Sequence, residues 1–269
     1  MINPEKKYMD ENLGLLPIVS SYIAEQNKTI QEIKELWETS PLIDVPTIMV
    51  EGISDKKYLE MAIDELSEML KNKIDNDELR IVTRKDNGAG TTLIKNWVFA
   101  WLHSENKSKL LAVFDKDSAG HKVIGEIKSN ELYSQQNQKT NVKVVQIVPS
   151  EEIITIYKKK LHIPFEIEHL LSIDIWKRAI ALRYVLPRSS AELIDAYKDD
   201  LPRNKTIDSI LDEKISNTQI RETIANYNPH DDKKMKLCEF VEQVYNKKEL
   251  TNIFGGFKKT IEILEEYFI

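Results

Sequence analysis

The sequence predicts an α/β protein, a parallel four-stranded sheet flanked by helices with helical extensions at both ends. Three observations predict it. Between residues 47 and 148, short apolar runs alternate with longer amphipathic ones. The short runs are continuously apolar, as in a parallel sheet covered on both faces. Outside this region, apolar residues recur at helical spacing.

Residues 1–45 read as a helical segment. In "NKTIQEIKELWE", Ile30, Ile33, Leu36 and Trp37 share a face after an Asn27 or Thr29 cap, and Pro41 and Pro46 break the chain. Residues 46–170 read as β-α-β-α-β-α-β. The strands are "TIMVE", "LRIVT", "KLLAVFD" and "VKVVQIV"; the helices between them are "SDKKYLEMAIDELSEMLKNK", "TTLIKNWVFAWLHSE" and "AGHKVIGEIKSNEL". Residues 171–269 read as a mostly helical C-terminal domain, with breaks near "LPRSS", "LPRNK", "NPHDD" and "FGGF". Its apolar faces need cover from the sheet domain, a second copy or a partner.

The chain has 269 residues, 41% hydrophobic and 30% charged, enough for a sizeable core. No apolar stretch reaches the roughly 20 residues that span a bilayer, and "MINPEKKYMDENLG" lacks the apolar core of a signal peptide, so a cytoplasmic protein without a membrane partner is expected. One cysteine, Cys238, excludes an internal disulfide and a cysteine-type zinc site; Leu237, Phe240 and Val241 around it predict a buried side chain. The net charge of −6 supplies no general attraction to phosphate, so a nucleic acid must be held by local basic groups or metal ions.

Ligands of a parallel sheet bind at the carboxyl ends of its strands. Glu51 ends the first strand. Gly52 allows a sharp turn free of a Cβ clash, Ser54 can cap the next helix, and Asp55 falls in its first turn. Asp115 and Asp117 end the third strand in "FDKDSAG". A strand-end acid before a helix is by itself an ordinary cap. The same device on two strands points to a shared site. Four crowded carboxylates repel one another unless some take up protons or a cation neutralises them, and an oxygen-only set suits Mg2+ or Mn2+.

"VEGISDKKYL" followed by "FDKDSAG" resembles the TOPRIM domain of topoisomerases, bacterial primases, small ribosomal-RNA maturases and overcoming-lysogenization-defect nucleases, over residues 47 to about 170. The resemblance implies a Rossmann-like metal-dependent phosphodiester site. Glu51 would be a metal ligand or general acid/base, and Asp115 and Asp117 would hold metal. Ala119 stands where topoisomerases carry a third acid, and a one-cysteine chain cannot supply the primase zinc module. The nucleases also carry an acid at the Asp55 position.

A further stretch, "LHIPFEIEHLLSIDIW", resembles the acidic element after the last TOPRIM strand in stand-alone defence nucleases, including the domain-of-unknown-function 4435 type found beside an ATPase. Pro164 disfavours a helix at Ile163. Extended "FEIE" would point Glu166 and Glu168 to one side, whereas a helix would set them about 200° apart. By the resemblance Glu168 is a further metal ligand. Glu166 either supports the ligands from behind or is an ordinary solvated acid, and the adjacent His169 would support the site.

Other residues carry weaker signals. Gly88 and Gly90 in "RKDNGAGTT" can cradle a phosphate or merely form a flexible loop, and no Walker A pattern is present, so ATP hydrolysis would need a partner. Arg84, Lys85 and Lys122 can meet the scissile phosphate or be solvated. His121 and "YKKKL" read as surface features, and Trp97, Trp101, Trp176 and Tyr184 as core.

The expectation is therefore a metal-dependent TOPRIM endonuclease. Its substrate would be a nucleic acid, DNA or RNA including transfer RNA. It would act as the effector of an anti-phage system with an ATPase or other defence partner, and as a possible homodimer. The alternatives are a catalytically silent TOPRIM-like binding module and a primase-like nucleotidyl transferase.

Overall fold

A computed structural model describes residues 45–83, 90–103, 107–135, 141–197 and 206–269. All belong to one compact unit, Val45–Ile269. The helical reading of residues 1–45 falls outside the described residues save for Val45 at its edge, and Gly88, Arg84, Lys85 and the "LPRNK" break also lie outside them.

Four strands form one parallel sheet: β1 (Thr47–Met49), β2 (Arg80–Val82), β3 (Leu110–Phe114) and β4 (Val142–Gln146), in the order β2-β1-β3-β4. Between them run α1 (Ile53–Leu66), α2 (Glu68–Asp75), α3 (Gly90–His103), α4 (Ser118–Lys128) and α5 (Glu131–Gln135). β1 pairs in register with β3, Thr47 opposite Leu110 and Met49 opposite Ala112. Their carboxyl ends therefore lie side by side.

The continuously apolar runs hold for the centre of the sheet, where every residue of β1 and β3 is buried. The edges depart from it. β2 and β4 alternate buried and half-buried positions, because an edge strand is covered less completely than a central one.

The single helix expected after β1 is two helices. Ser67 breaks it: its hydroxyl accepts the Leu70 N–H at 3.2 Å and donates to Glu265 Oε1 at 2.6 Å, competing with the helical ladder.

Beyond β4 come α6 (Glu151–Lys158), a 3-10 turn (Ile167–Leu170), α7 (Ile173–Ala181), β5 (Val185–Pro187), α8 (Ser190–Ala196) and α9 (Ile207–Lys214). A short helix, Thr218–Ile220, runs into a π turn and then β6 (Tyr227–Pro229), which pairs antiparallel with β5. The chain closes with α10 (Lys234–Asn246) and α11 (Lys258–Phe268).

One hydrophobic cluster joins sheet and C-terminal helices, from Ile48, Leu111 and Tyr58 to Trp176, Cys238, Val241 and Leu264. Apolar faces of the C-terminal segment are thus covered by α1 and the sheet. Trp97, Trp101, Trp176 and Cys238 are core residues, while Tyr184 is half-buried at its edge. Among the described residues, no helix is long and apolar enough to cross a membrane.

Candidate active site

The first turn after β1 places two acids. Gly52, rather than Ser54, is the N-cap of α1; its N–H donates to Asp55 Oδ2 at 2.8 Å. Ser54 is buried inside the first turn and donates to Asp55 Oδ1 at 3.2 Å. Gly52 also has φ −131° and ψ 168°, extended backbone open to any residue, and a Cβ there would make only ordinary contact with Asp55, 3.5 Å away. Its glycine is not required by the turn. Gly120 is the constrained one, because a Cβ would run into the Asp115 carbonyl.

The turn after β3 places the next two. The Asp115 N–H donates to Glu51 Oε1 at 3.2 Å, which ties the two strand tips together. Asp117 caps α4, accepting the Gly120 N–H at 2.7 Å. Asp117 thus caps α4 through Oδ1 while its charge is also felt by Glu51.

Glu168 arrives by a different route from the one expected. The chain is extended only through Glu166, and Phe165 exchanges backbone hydrogen bonds with Lys116. It then tightens into the 3-10 turn, because the Ile167 N–H donates to Asp115 Oδ1 at 2.9 Å. Glu166 caps that turn and Glu168 sits within it.

The turn is held from behind. The Trp176 indole donates to the Glu168 carbonyl at 3.2 Å, and the His169 ring packs between Phe165 and Trp176, with centroids 5.1 and 5.0 Å away. Buried Arg188 has no acceptor atom, so it donates to His169 Nε2 at 2.9 Å and to the Pro164 carbonyl at 3.0 Å. On the other side of the ring the Glu166 N–H lies 2.9 Å from Nδ1, so the imidazole bridges Arg188 and the capping residue of the turn. His169 thus supports the turn and does not bond the Glu168 carboxylate. Burial and the Arg188 charge hold it neutral, well below the usual histidine pKa.

The result is an acid pocket. Burial pushes Glu51 up to about 7, against the Asp115 N–H that lowers it and with Asp55 and Asp117 that raise it further. Burial raises Asp55 despite its cap bonds. Asp115 is raised well above the usual range by burial and by Asp55 and Glu51. Burial pushes Glu168 up to about 8; Lys234 opposes this, and Asp55 adds to it. The carboxylates thus feel one another.

Lys234 was not foreseen. It lies in the first turn of α10, with Nζ 2.7 Å from Glu166 Oε2. Burial alone would lower its pKa, but Glu168 and Glu166 more than offset that and raise it. Its charge is felt by Glu51, Asp55 and Glu168 as well. The sequence did carry a signal: a helix macrodipole disfavours cations in the first turn, so "DDKKMKL" places Lys234 where only nearby acids make it favourable.

Lys122 and His121 are exposed on α4, and Gly90 opens α3 at φ +48°.

Whether the pocket suits a divalent cation divides into chemistry and spacing. The donors are carboxylates throughout, the right class for Mg2+ or Mn2+. The Glu168 side chain is buried and its Oε1 has no hydrogen-bond partner, the mark of an acceptor shaped for something else. Among the described residues, no three metal-ligating side chains converge on one point as they stand. The donor set fits in kind, and its spacing is open.

Comparison with protein-family models, with curated proteins and with solved structures finds no match to this chain.

Proposed function

We propose that this protein is a TOPRIM-type, metal-dependent endonuclease that hydrolyses nucleic-acid phosphodiester bonds. One observation carries the reading: the Glu51 carboxylate accepts the Asp115 N–H at the tips of adjacent parallel strands, Asp55 lies in the helix turn that follows Glu51, and the same Asp115 anchors the turn bearing buried Glu168. This is the ligand-binding end of such a sheet.

Glu51, Asp55, Asp115, Asp117 and Glu168 would hold Mg2+ or Mn2+. When bound, the ion supplies Lewis-acid polarisation of the phosphate and lowers the pKa of an attacking water. The chain's own residues do the rest. Glu51, at the strand tip beside Asp115, is the carboxylate placed to take the proton of the attacking water or give one to the leaving oxygen. The Asp115 bond to Ile167 fixes the Glu168 turn against the strand tip. Trp176 and His169 exclude water from behind it.

On the resemblance to stand-alone defence nucleases, the reading extends to a cytoplasmic anti-phage effector acting with an ATPase partner. The test is cleavage of plasmid DNA and of total RNA with Mn2+, Mg2+ or EDTA, beside Asp115→Ala/Asp117→Ala. Metal-dependent cleavage lost in the variant supports the reading and identifies the polymer.

The open spacing of the acids favours a second reading, a TOPRIM-like module that binds without cutting. It predicts neither cleavage nor uptake of a divalent ion.

A further inference from the structure

We propose that a cavity walled in part by the Glu168 turn binds a small amine with an apolar ring. The inference concerns this binding alone and stands apart from the metal and nuclease readings.

The cavity has a volume of about 370 Å3, inside the roughly 300–1,000 Å3 of small-molecule sites. Phe165, Leu170 and Leu171 line it from the turn and its flanks, Ile153 from the first turn of α6, and Ile220 and Ile224 from the short helix and π turn before β6. All six are buried, and such a lining suits an apolar body. Polar groups are few. Ser172 lines the cavity as the N-cap of α7, yet its hydroxyl makes no cap bond. That oxygen is buried and has no hydrogen-bond partner among the described residues, so it is open to an occupant.

The charge around the cavity selects among ligands. Glu152 lines it, and its Oε1 accepts the Asn217 side-chain amide at 3.2 Å, which holds the carboxylate at the wall. Among the described residues, no lysine or arginine lines it. The two helix N-termini at the wall already carry acids, Glu152 on α6 and Asp174 on α7. A phosphate or carboxylate would therefore meet like charge, and an ammonium would meet a partner.

The "FGGF" break in the sequence builds the remaining wall. Gly255 and Gly256 both line the cavity, and each is required by a close approach. A Cβ on Gly256 would run into the Leu170 carbonyl, and one on Gly255 into the Asn252 side chain. Asn252 has φ +57°, a left-handed conformation that asparagine tolerates. The Ser172 N–H donates to the Ile253 carbonyl at 2.9 Å and fastens this loop to the end of the Glu168 turn. An occupant would thus touch the residues that follow Glu168.

The experiment titrates the full-length protein with three probes built on one ring, phenethylamine, 2-phenylethanol and phenylacetate, with binding read by ligand-observed NMR. Phenethylamine is expected to saturate with a Kd of about 1 mM or tighter, and phenylacetate to bind at least about fivefold more weakly. Glu152→Gln keeps an acceptor for Asn217 and should weaken phenethylamine about threefold while leaving 2-phenylethanol unchanged. Ser172→Leu loses no cap bond, fills the cavity and should abolish binding of all three probes. Failure of every probe to saturate by about 10 mM overturns the site, and that result needs no variant to fold. Phenylacetate binding as tightly as the amine overturns the ligand class. Undiminished binding in a folded Ser172→Leu places the probes elsewhere and also overturns the proposal.

Discussion

Asp115 Oδ1 accepts the Ile167 N–H at 2.9 Å, so the carboxylate at the tip of β3 also sets the turn that presents Glu168. One side chain does two separable jobs. Asp115→Asn keeps an acceptor for Ile167 and removes the charge; Asp115→Ala removes both. Cleavage is expected to vanish in both variants. Asn should melt close to wild type, while Ala should lose about 1–2 kcal/mol, the cost of orphaning one N–H. Equal melting of the two would show that the Ile167 bond contributes nothing.

The pocket predicts an unusual pH response. Glu51 and Glu168 have folded pKa values near 7 and 8, above the ordinary 4.5. The folded chain therefore holds more protons than the unfolded one between those values, and stability falls as pH rises through that window. In EDTA the melting temperature should be higher at pH 5.5 than at pH 8.5, with the slope reduced in Glu168→Gln. Melting that rises with pH in EDTA, or an unaltered slope in Glu168→Gln, would refute the assignment.

Saturating Mn2+ should reverse part of this response. A ligand that binds only the folded state stabilises it by about 2.7 kcal/mol at a hundredfold excess over its Kd. Wild type at pH 8 is expected to gain several degrees, and Glu168→Gln much less, because the unpartnered Oε1 is lost. Differential scanning fluorimetry with and without Mn2+ measures both. An identical gain in the variant would take Glu168 out of the ligand set.

The two glycines of the strand tips should behave oppositely. Gly52→Ala brings its Cβ into ordinary contact with the Asp55 carboxylate, 3.5 Å away, and should change stability by no more than about 0.5 kcal/mol. Gly120→Ala drives a Cβ into the Asp115 carbonyl, so the β3–α4 turn must open at a cost of about 1–3 kcal/mol. Cleavage should fall with it, since Asp115 and Asp117 flank that turn. Urea melts of the pair check the contrast; similar losses in both would contradict it.

The sequence by itself determined the four parallel strands and the acids at their tips, because a buried strand must be apolar throughout and a parallel sheet opens only at its carboxyl ends. The burial of Cys238, Trp97, Trp101 and Trp176 was legible for the same reason of helical spacing. Tertiary structure decided what local pattern does not report. That β1 and β3 are neighbours depends on the strand order β2-β1-β3-β4. That Glu168 stands on a 3-10 turn depends on a hydrogen bond across 52 residues, from Ile167 to Asp115, and on the Trp176 indole behind it. The half-buried counter-charge of Lys234 comes from a helix 66 residues beyond Glu168, and the packing of α10 on α1 brings it in. Charges meet through space, and their energy depends on distances that the order of residues along the chain does not specify.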